Sequence, residues 1–196
     1  SALYKDVTIA SGSMVNHGTE EGLDLVVSAG AEHENFGTSI WNNVTIDGTG
    51  TNGAAIPDDG TTGNMEAFTS DAILQIGSKD DPNNAFNVNG SFTNNGKLNA
   101  SEVEQTTVAG DLLNKGQALY DDMTVEKDGA SVNHGLEQGD ILVVEGEHTN
   151  TGTSIWNQFE VNGSGTNGTA LPEDALVGWE EGFTSDAILQ IGSKDS

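Results

Sequence analysis

The amino-acid sequence predicts an all-β protein, one continuous right-handed, single-stranded parallel β-helix (a β-solenoid) of about ten coils over residues 1–196. Three observations carry that prediction. The 13-residue string FTSDAILQIGSKD occurs twice, at Phe68–Asp80 and Phe183–Asp195, 115 residues apart. Asn-x-Gly recurs at Asn16, Asn35, Asn94, Asn114, Asn133 and Asn150, with looser Asn-Gly pairs at Asn52 and Asn167, and neighbouring Asn residues within each run lie 17 to 20 residues apart. No stretch sustains a helical apolar period.

The long repeat extends beyond the 13-mer. Ala2-Leu3-Tyr4 matches Ala118-Leu119-Tyr120, Val15-Asn16-His17-Gly18 matches Val132-Asn133-His134-Gly135, GTSIWN at 37–42 recurs at 152–157, and Pro57 matches Pro172. Unit one therefore spans residues 2–80 and unit two 118–195, with spacer coils at 81–117. The offset between units drifts from 116 to 117 to 115, as turns absorb length changes that strands do not.

The short repeat sets the coil. Between the Asn-Gly signals lie brief β-rich pieces: Val7–Ile9, Val44–Ile46, Val103, Met123–Val125, Ile141–Val144 and Phe159–Val161. Strands of three to five residues joined by tight turns, stacked about 4.8 Å apart, account for a fixed residue cost per circuit. Asn and Gly are expected at the corners because they tolerate positive φ. The structural turn residues Asn16, Asn35, Asn94, Asn114, Asn133 and Asn150 are also placed to stack amide on amide. An antiparallel sandwich also has regularly spaced strands, but its hairpins would vary the corner residue more. A left-handed hexapeptide helix requires a strict six-residue repeat, which is not present.

Composition narrows the function classes. There are 31 acidic residues against six Lys and no Arg, a net charge of −25. Nucleic acid is excluded as a partner, since nothing neutralises phosphates, and so is electrostatic attachment to anionic membranes. The charge reads first as a solvated, self-repelling surface. Apolar residues make up only 34%, yet 26 Gly and the periodic Val, Ile and Leu positions argue against disorder. Absence of Cys fits bacterial surface proteins exported unfolded. No signal peptide, membrane span or lipidation motif is read, and the start in mid-pattern suggests a piece of a longer chain.

The candidate sites occur in pairs. His17 with His33, and His134 with His148, lie one coil apart, and Glu32 or Glu147 precedes the second member. Their three-residue offset separates them by about 10 Å along the strands, so they read as exposed turn and strand histidines and not as metal ligands. Acidic pairs occur at Asp58-Asp59, Asp80-Asp81, Asp121-Asp122, Glu173-Asp174 and Glu180-Glu181, without an EF-hand or calcium β-roll pattern. The loops at 57–66 and 172–182 are the expected places for any cation or ligand. Trp41 and Trp156, equivalent residues in GTSIWN, are the candidate ligand surface: facing solvent they would stack on sugar rings, facing inward they would cap the core. Trp179 has no counterpart in unit one. Asn-x-Ser/Thr at Asn43, Asn89, Asn99, Asn162 and Asn167 is expected by chance in so Asn-rich a chain.

No catalytic, cofactor-binding or metal-binding residue is assigned. The stretches Val88-Asn89-Gly90-Ser91-Phe92-Thr93-Asn94-Asn95-Gly96 and Val108-Ala109-Gly110-Asp111-Leu112-Leu113-Asn114-Lys115-Gly116 share the pattern V-x-G-x-φ-x-N-x-G. In these the chain resembles the β-helical passenger or stalk regions of bacterial autotransporters and filamentous-haemagglutinin-type adhesins. The resemblance implies a secreted or cell-surface, non-catalytic repeat segment, an adhesin or spacer, monomeric, whose partner is a host or bacterial surface glycan or protein. Two alternatives stand beside it. One is a β-helix polysaccharide lyase or hydrolase. Pectate-lyase-like enzymes use Arg or Lys as base, and no Arg is present here. Polygalacturonase-like enzymes cluster Asp on one face, and no carboxylate group recurs at one coil period in the sequence. The other is a phage tail-fibre-like trimeric stalk.

Overall fold

The computed structural model describes residues 1–54, 71–78, 84–168 and 187–191. The loops at 57–66 and 172–182, Trp179, and the acidic pairs at 58–59, 80–81, 173–174 and 180–181 lie outside the described residues. Every described element is a strand, and every strand pairing is parallel. The fold is a parallel β-solenoid.

Each circuit has two walls. The narrow wall is an eight-stranded sheet built from β3 (Gly12–Asn16), β5 (Ala31–Asn35), β7 (Thr49–Asn52), β10 (Ser91–Asn94), β12 (Asp111–Asn114), β14 (Ala130–Asn133), β16 (Glu147–Asn150) and β18 (Ser164–Asn167). All eight end on Asn. The long wall has eleven strands, among them β4 (Thr19–Val27), β6 (Thr38–Ile46), β11 (Lys97–Val108), β13 (Gln117–Val125), β15 (Leu136–Val144) and β17 (Thr153–Val161). At the first end this wall is made of β1 (Ala2–Leu3) and β2 (Asp6–Ile9), both paired on β4. Eight rungs at about 4.8 Å give a rod of about 35 Å.

Both copies of the 13-mer supply the same strand. In unit one β8 (Ile73–Ile76) lies on the GTSIWN strand with Thr38 opposite Ile73. In unit two β19 (Ile188–Ile191) lies on its counterpart with Thr153 opposite Ile188. The 42-residue step from Asn52 to Asn94 is a single circuit, completed by β8, β9 (Ala85–Val88) and β10.

Strict alternation turns one side chain in two inward, so the core is a set of rows running along the rod. One row is Ile9, Val27, Ile46, Val88, Val108, Val125, Val144 and Val161. The facing narrow wall contributes Met14, His33, Gly50, Phe92, Leu112, Ser131, His148 and Gly165. Rows of matched side chains bury a core continuously from a modest apolar content, because each residue is covered by its neighbours above and below.

The asparagines form a third row. Asn133 is fully buried: its amide donates to Asn150 Oδ1 (2.8 Å) and the Thr153 carbonyl (2.9 Å), and its Oδ1 accepts from Asn114 (2.8 Å) and from the Gly135 N–H (3.1 Å). The amide is saturated at all four positions. The same amide-to-amide bond links Asn16, Asn35, Asn52, Asn94, Asn114, Asn133, Asn150 and Asn167 without a gap.

The glycines two residues after these asparagines owe their identity to a different cause from the one the sequence suggests. Positive φ occurs among the described glycines only at Gly12, Gly30, Gly53, Gly77 and Gly168. At the corners Gly37, Gly116 and Gly135 a Cβ would run into the backbone of the corner glycine one coil below. Close stacking of backbone on backbone demands glycine there.

Candidate functional site

The inward parity set by the asparagines brings together four side chains in each unit. His33 precedes Asn35 by two residues on β5, and Ser39 and Trp41 follow it by four and six on β6, so all point into the core. Glu20 follows Asn16 by four and sits on β4 opposite Ser39. Glu20 Oε1 accepts from Ser39 Oγ at 2.6 Å and meets His33 Nε2 at 2.8 Å. Trp41 Nε1 in turn donates to Ser39 Oγ at 2.8 Å. Glu20 crosses the core from the long wall to the narrow one, and Ser39 ties it to the coil above.

Unit two repeats the cluster with Glu137, His148, Ser154 and Trp156. Ser154 donates to Glu137 Oε1 at 2.6 Å, Trp156 donates to Ser154 at 2.9 Å, and His148 Nε2 lies 3.2 Å from Glu137 Oε1. That last approach lacks hydrogen-bond geometry, and Glu137 Oε2 and both His148 nitrogens have no partner. Tyr4 stacks on Trp41 with centroids 6.1 Å apart, and Tyr120 on Trp156 at 6.0 Å. Burial, with the Glu137 carboxylate nearby, pushes the Tyr120 phenol up.

Two expectations are corrected here. His33 and His148 are 4% and 2% exposed, not solvent-facing, because each shares the inward face with the asparagine two residues on. Trp41 and Trp156 are 0% exposed and cannot stack on a sugar, so they do not form a ligand surface. Their rings are seated over Gly22 and Gly139, where a Cβ would fall inside the indole. Gly139→Ala should therefore cost about 1–3 kcal/mol by overpacking. Chemical denaturation of the two chains checks this, and an unchanged midpoint would show that the ring has room to move.

The cluster is built to hold, not to react. The Ser39 hydroxyl proton is committed to Glu20, its lone pair to Trp41, and the residue is fully buried. Burial alone would raise the Glu20 carboxyl. The His33 and Ser39 hydrogen bonds and the charge on His33 outweigh that and hold it below its ordinary 4.5.

A second grouping lies outside. Asp121 and Asp122 on β13 and Asp140 on β15 bring one carboxylate oxygen each within 4.8 Å of one another. This corrects the expectation that no carboxylates gather at one coil period. The three meet where the β13–β15 pairing lapses between Leu119↔Gln138 and Asp122↔Ile141. Unit one carries Lys5, Asp6 and Leu23 at these positions, so the grouping is not duplicated. Desolvation, then Asp140, Glu104 and Glu102, raise Asp121. Desolvation, then Asp121, Asp140 and Glu104, raise Asp122, against a hydrogen bond from the Ile141 N–H (3.2 Å) that lowers it.

A carboxyl raised in the folded state has no effect below the ordinary 3.8, destabilises the fold progressively as pH rises from there, and does so fully above its folded pKa. Asp122→Asn should therefore raise Tm at pH 7 by about 1–3 °C, a gain that vanishes at pH 3. A gain that persists at pH 3 would deny its electrostatic origin.

The six corner asparagines singled out in the sequence all lie in the buried ladder, joined by Asn52 and Asn167. Glu20, Ser39, Glu137 and Ser154 were not singled out. Counting in twos from each asparagine finds them. Neither a family model, nor a curated protein, nor a solved structure matches the chain.

Proposed function

We propose that the chain is a non-catalytic segment of a large secreted or surface-exposed bacterial repeat protein, acting there as a spacer or adhesin. The observation that carries this reading is where the reactive side chains go. Glutamate, serine and tryptophan that would equip a catalytic site are tied coil to coil inside the core in both units, and in unit one the histidine ties wall to wall as well. The outside is an acidic rod surface suited to staying soluble and extended. Any receptor is a surface glycan or protein. Antibody raised against the chain should label intact, unpermeabilised cells of the source organism. Labelling only after lysis would remove the surface role.

Asp121, Asp122 and Asp140, grouped on the outer face, favour a second reading, polysaccharide hydrolysis, in which raised carboxyls serve as acid and base. It predicts release of reducing ends from a glycan panel, abolished in Asp122→Asn. No release leaves the spacer or adhesin reading.

A further inference from the structure

The outward side chains of the long wall fall into rows as regular as the inward ones, and one stretch of them lacks the charge that marks the rest of the rod. Between the asparagine corner and the bend, each rung turns two side chains out. One outward row runs Thr38, Ile73, Lys97, Gln117, Leu136 and Thr153. The row beside it runs Ile40, Gln75, Asn99, Leu119, Gln138 and Ile155, with register unbroken through every rung. None of these side chains is acidic, in a chain with 31 acidic residues, and Lys97 is the one charge. Ile40, Ile73, Leu119, Leu136 and Ile155 make the face largely aliphatic, with Ile73 and Leu119 38% and 39% exposed.

The carboxylates gather on other surfaces. Glu32, Asp111 and Glu147 share an outward row of the narrow wall. Asp47, Glu126 and Glu145 are exposed at the corner that follows the long wall, and Asp121 and Asp140 stand at the bend. Glu21, one rung before Ile40, closes the aliphatic row at one end. An anionic partner is repelled by a rod of net charge −25, and a cationic one is drawn to the acidic surfaces. What fits this face is another uncharged, half-aliphatic sheet.

We propose that this face is the contact of a two-fold dimer of the chain, two rods side by side and antiparallel, in place of the monomer that the resemblance implies. The long repeat supplies the self-complementarity. With the two-fold axis along the strand direction, between β11 and β13, each row faces its own copy in reverse order. Thr38 meets the partner's Thr153 and Ile40 meets the partner's Ile155, so the GTSIWN strands of the two units lie on one another. Ile73 meets the partner's Leu136, and Gln75 meets the partner's Gln138. Aliphatic side chains thus fall on aliphatic ones and amide on amide, and no carboxylate is covered. Lys97, near the axis, lies in the row beside the corner, where its stem covers apolar surface and its ammonium reaches water. Six rungs at about 4.8 Å, two side chains wide, give about 400 Å² of face per copy and about 800 Å² in the pair, before flanking corner side chains are counted. That is the size of a weak, reversible contact, and repulsion between two chains of charge −25 weakens it further at low salt.

The test is sedimentation of the full 196-residue chain from about 1 μM to about 1 mM, at low and at high salt. The mass is expected to rise from 20.3 kDa to twice that and no further. The dissociation constant should be on the order of 100 μM and fall at least about three-fold as salt screens the acidic surfaces. Ile40→Lys and Ile155→Glu should each weaken pairing at least about ten-fold, since each sets a charge against an aliphatic side chain. The double variant Ile40→Lys with Ile155→Glu should regain it, because opposite charges then face each other across the axis. Val132→Glu, at a half-buried outward position on the narrow wall, should pair as the native chain does. Four results overturn the proposal: a mass fixed at 20.3 kDa to about 1 mM at both salts, a mass that climbs past the dimer, a loss in Val132→Glu as large as in Ile40→Lys, or a double variant that stays as weak as its parents.

Discussion

Asn94→Leu is expected to cost about 3–5 kcal/mol and to lower Tm by about 10 °C. Asn94 is fully buried in the middle of the ladder. It accepts from Asn52 (2.8 Å) and the Gly96 N–H (3.2 Å), and donates to Asn114 (2.8 Å) and the Gln117 carbonyl (2.9 Å). Leucine fills the space but leaves Gly96 N–H, Gln117 C=O and Asn114 Oδ1 without the bond each had, at about 1–3 kcal/mol apiece, partly offset by added apolar burial. Asn52 retains the Lys97 carbonyl at 3.1 Å and suffers less. A break in mid-rod also weakens the coupling between neighbouring coils, so unfolding should spread into two transitions. Two controls sharpen the result. Asn167→Leu, exposed and with one amide bond among the described residues, should cost under about 1 kcal/mol. Asn94→Asp keeps both acceptor contacts and loses both donations, so it should be strongly destabilised at pH 7 and partly recover on acidification. Denaturant midpoints across this set decide the matter. Equal costs at Asn94 and Asn167 would mean that the ladder decorates the corners without holding them.

The rungs were legible because their signal is local. Within each run an asparagine every 17 to 20 residues, followed by a corner glycine, marks one turn of a coil, and only the 42-residue circuit from Asn52 to Asn94 departs from that spacing among the described rungs. The doubled 13-mer was legible as the same segment of two long repeats, and the structure makes it one wall strand used twice, on GTSIWN in both units. The interior cluster was missed for a definable reason. Measured along the strand, His17 and His33 are out of step, and that comparison hid the useful one, which sets His33 against Asn35 on the same inward face. Glu20 and Ser39 are 19 residues apart and meet only once the coils are registered. The aspartates were hidden differently. Asp122 and Asp140 stand eight and seven residues past their asparagines, and the lapse in pairing at the bend absorbs the difference. Corner glycine was read for a dihedral preference, which holds at Gly53 and Gly168, whereas at Gly37, Gly116 and Gly135 the constraint lies one coil away and has no trace within the turn itself.

Glu20→Ala is expected to cost about 3–5 kcal/mol, whereas the double variant Glu20→Leu with His33→Leu should recover most of that loss. Glu20 is 2% exposed, and its carboxylate is the single acceptor for Ser39 and the partner of His33. Deleting it strands a buried imidazole and a buried hydroxyl, while replacing both partners removes the desolvation that the pair had to overcome. The pH dependence separates this from a simple cavity. A carboxyl held below 4.5 in the fold adds stability above that value and loses it as pH falls through the folded pKa. The native chain should therefore weaken on acidification in that window, and the double variant should weaken less. Unit two supplies the internal comparison. There the histidine approaches to only 3.2 Å without hydrogen-bond geometry, and Glu137 Oε2 is unpartnered. The same double replacement at Glu137 and His148 removes more unmet desolvation and less bonding, so it should be the more favourable of the two. If the unit-two variant proves the less stable, the polar cluster is held by something other than the bonds seen in unit one.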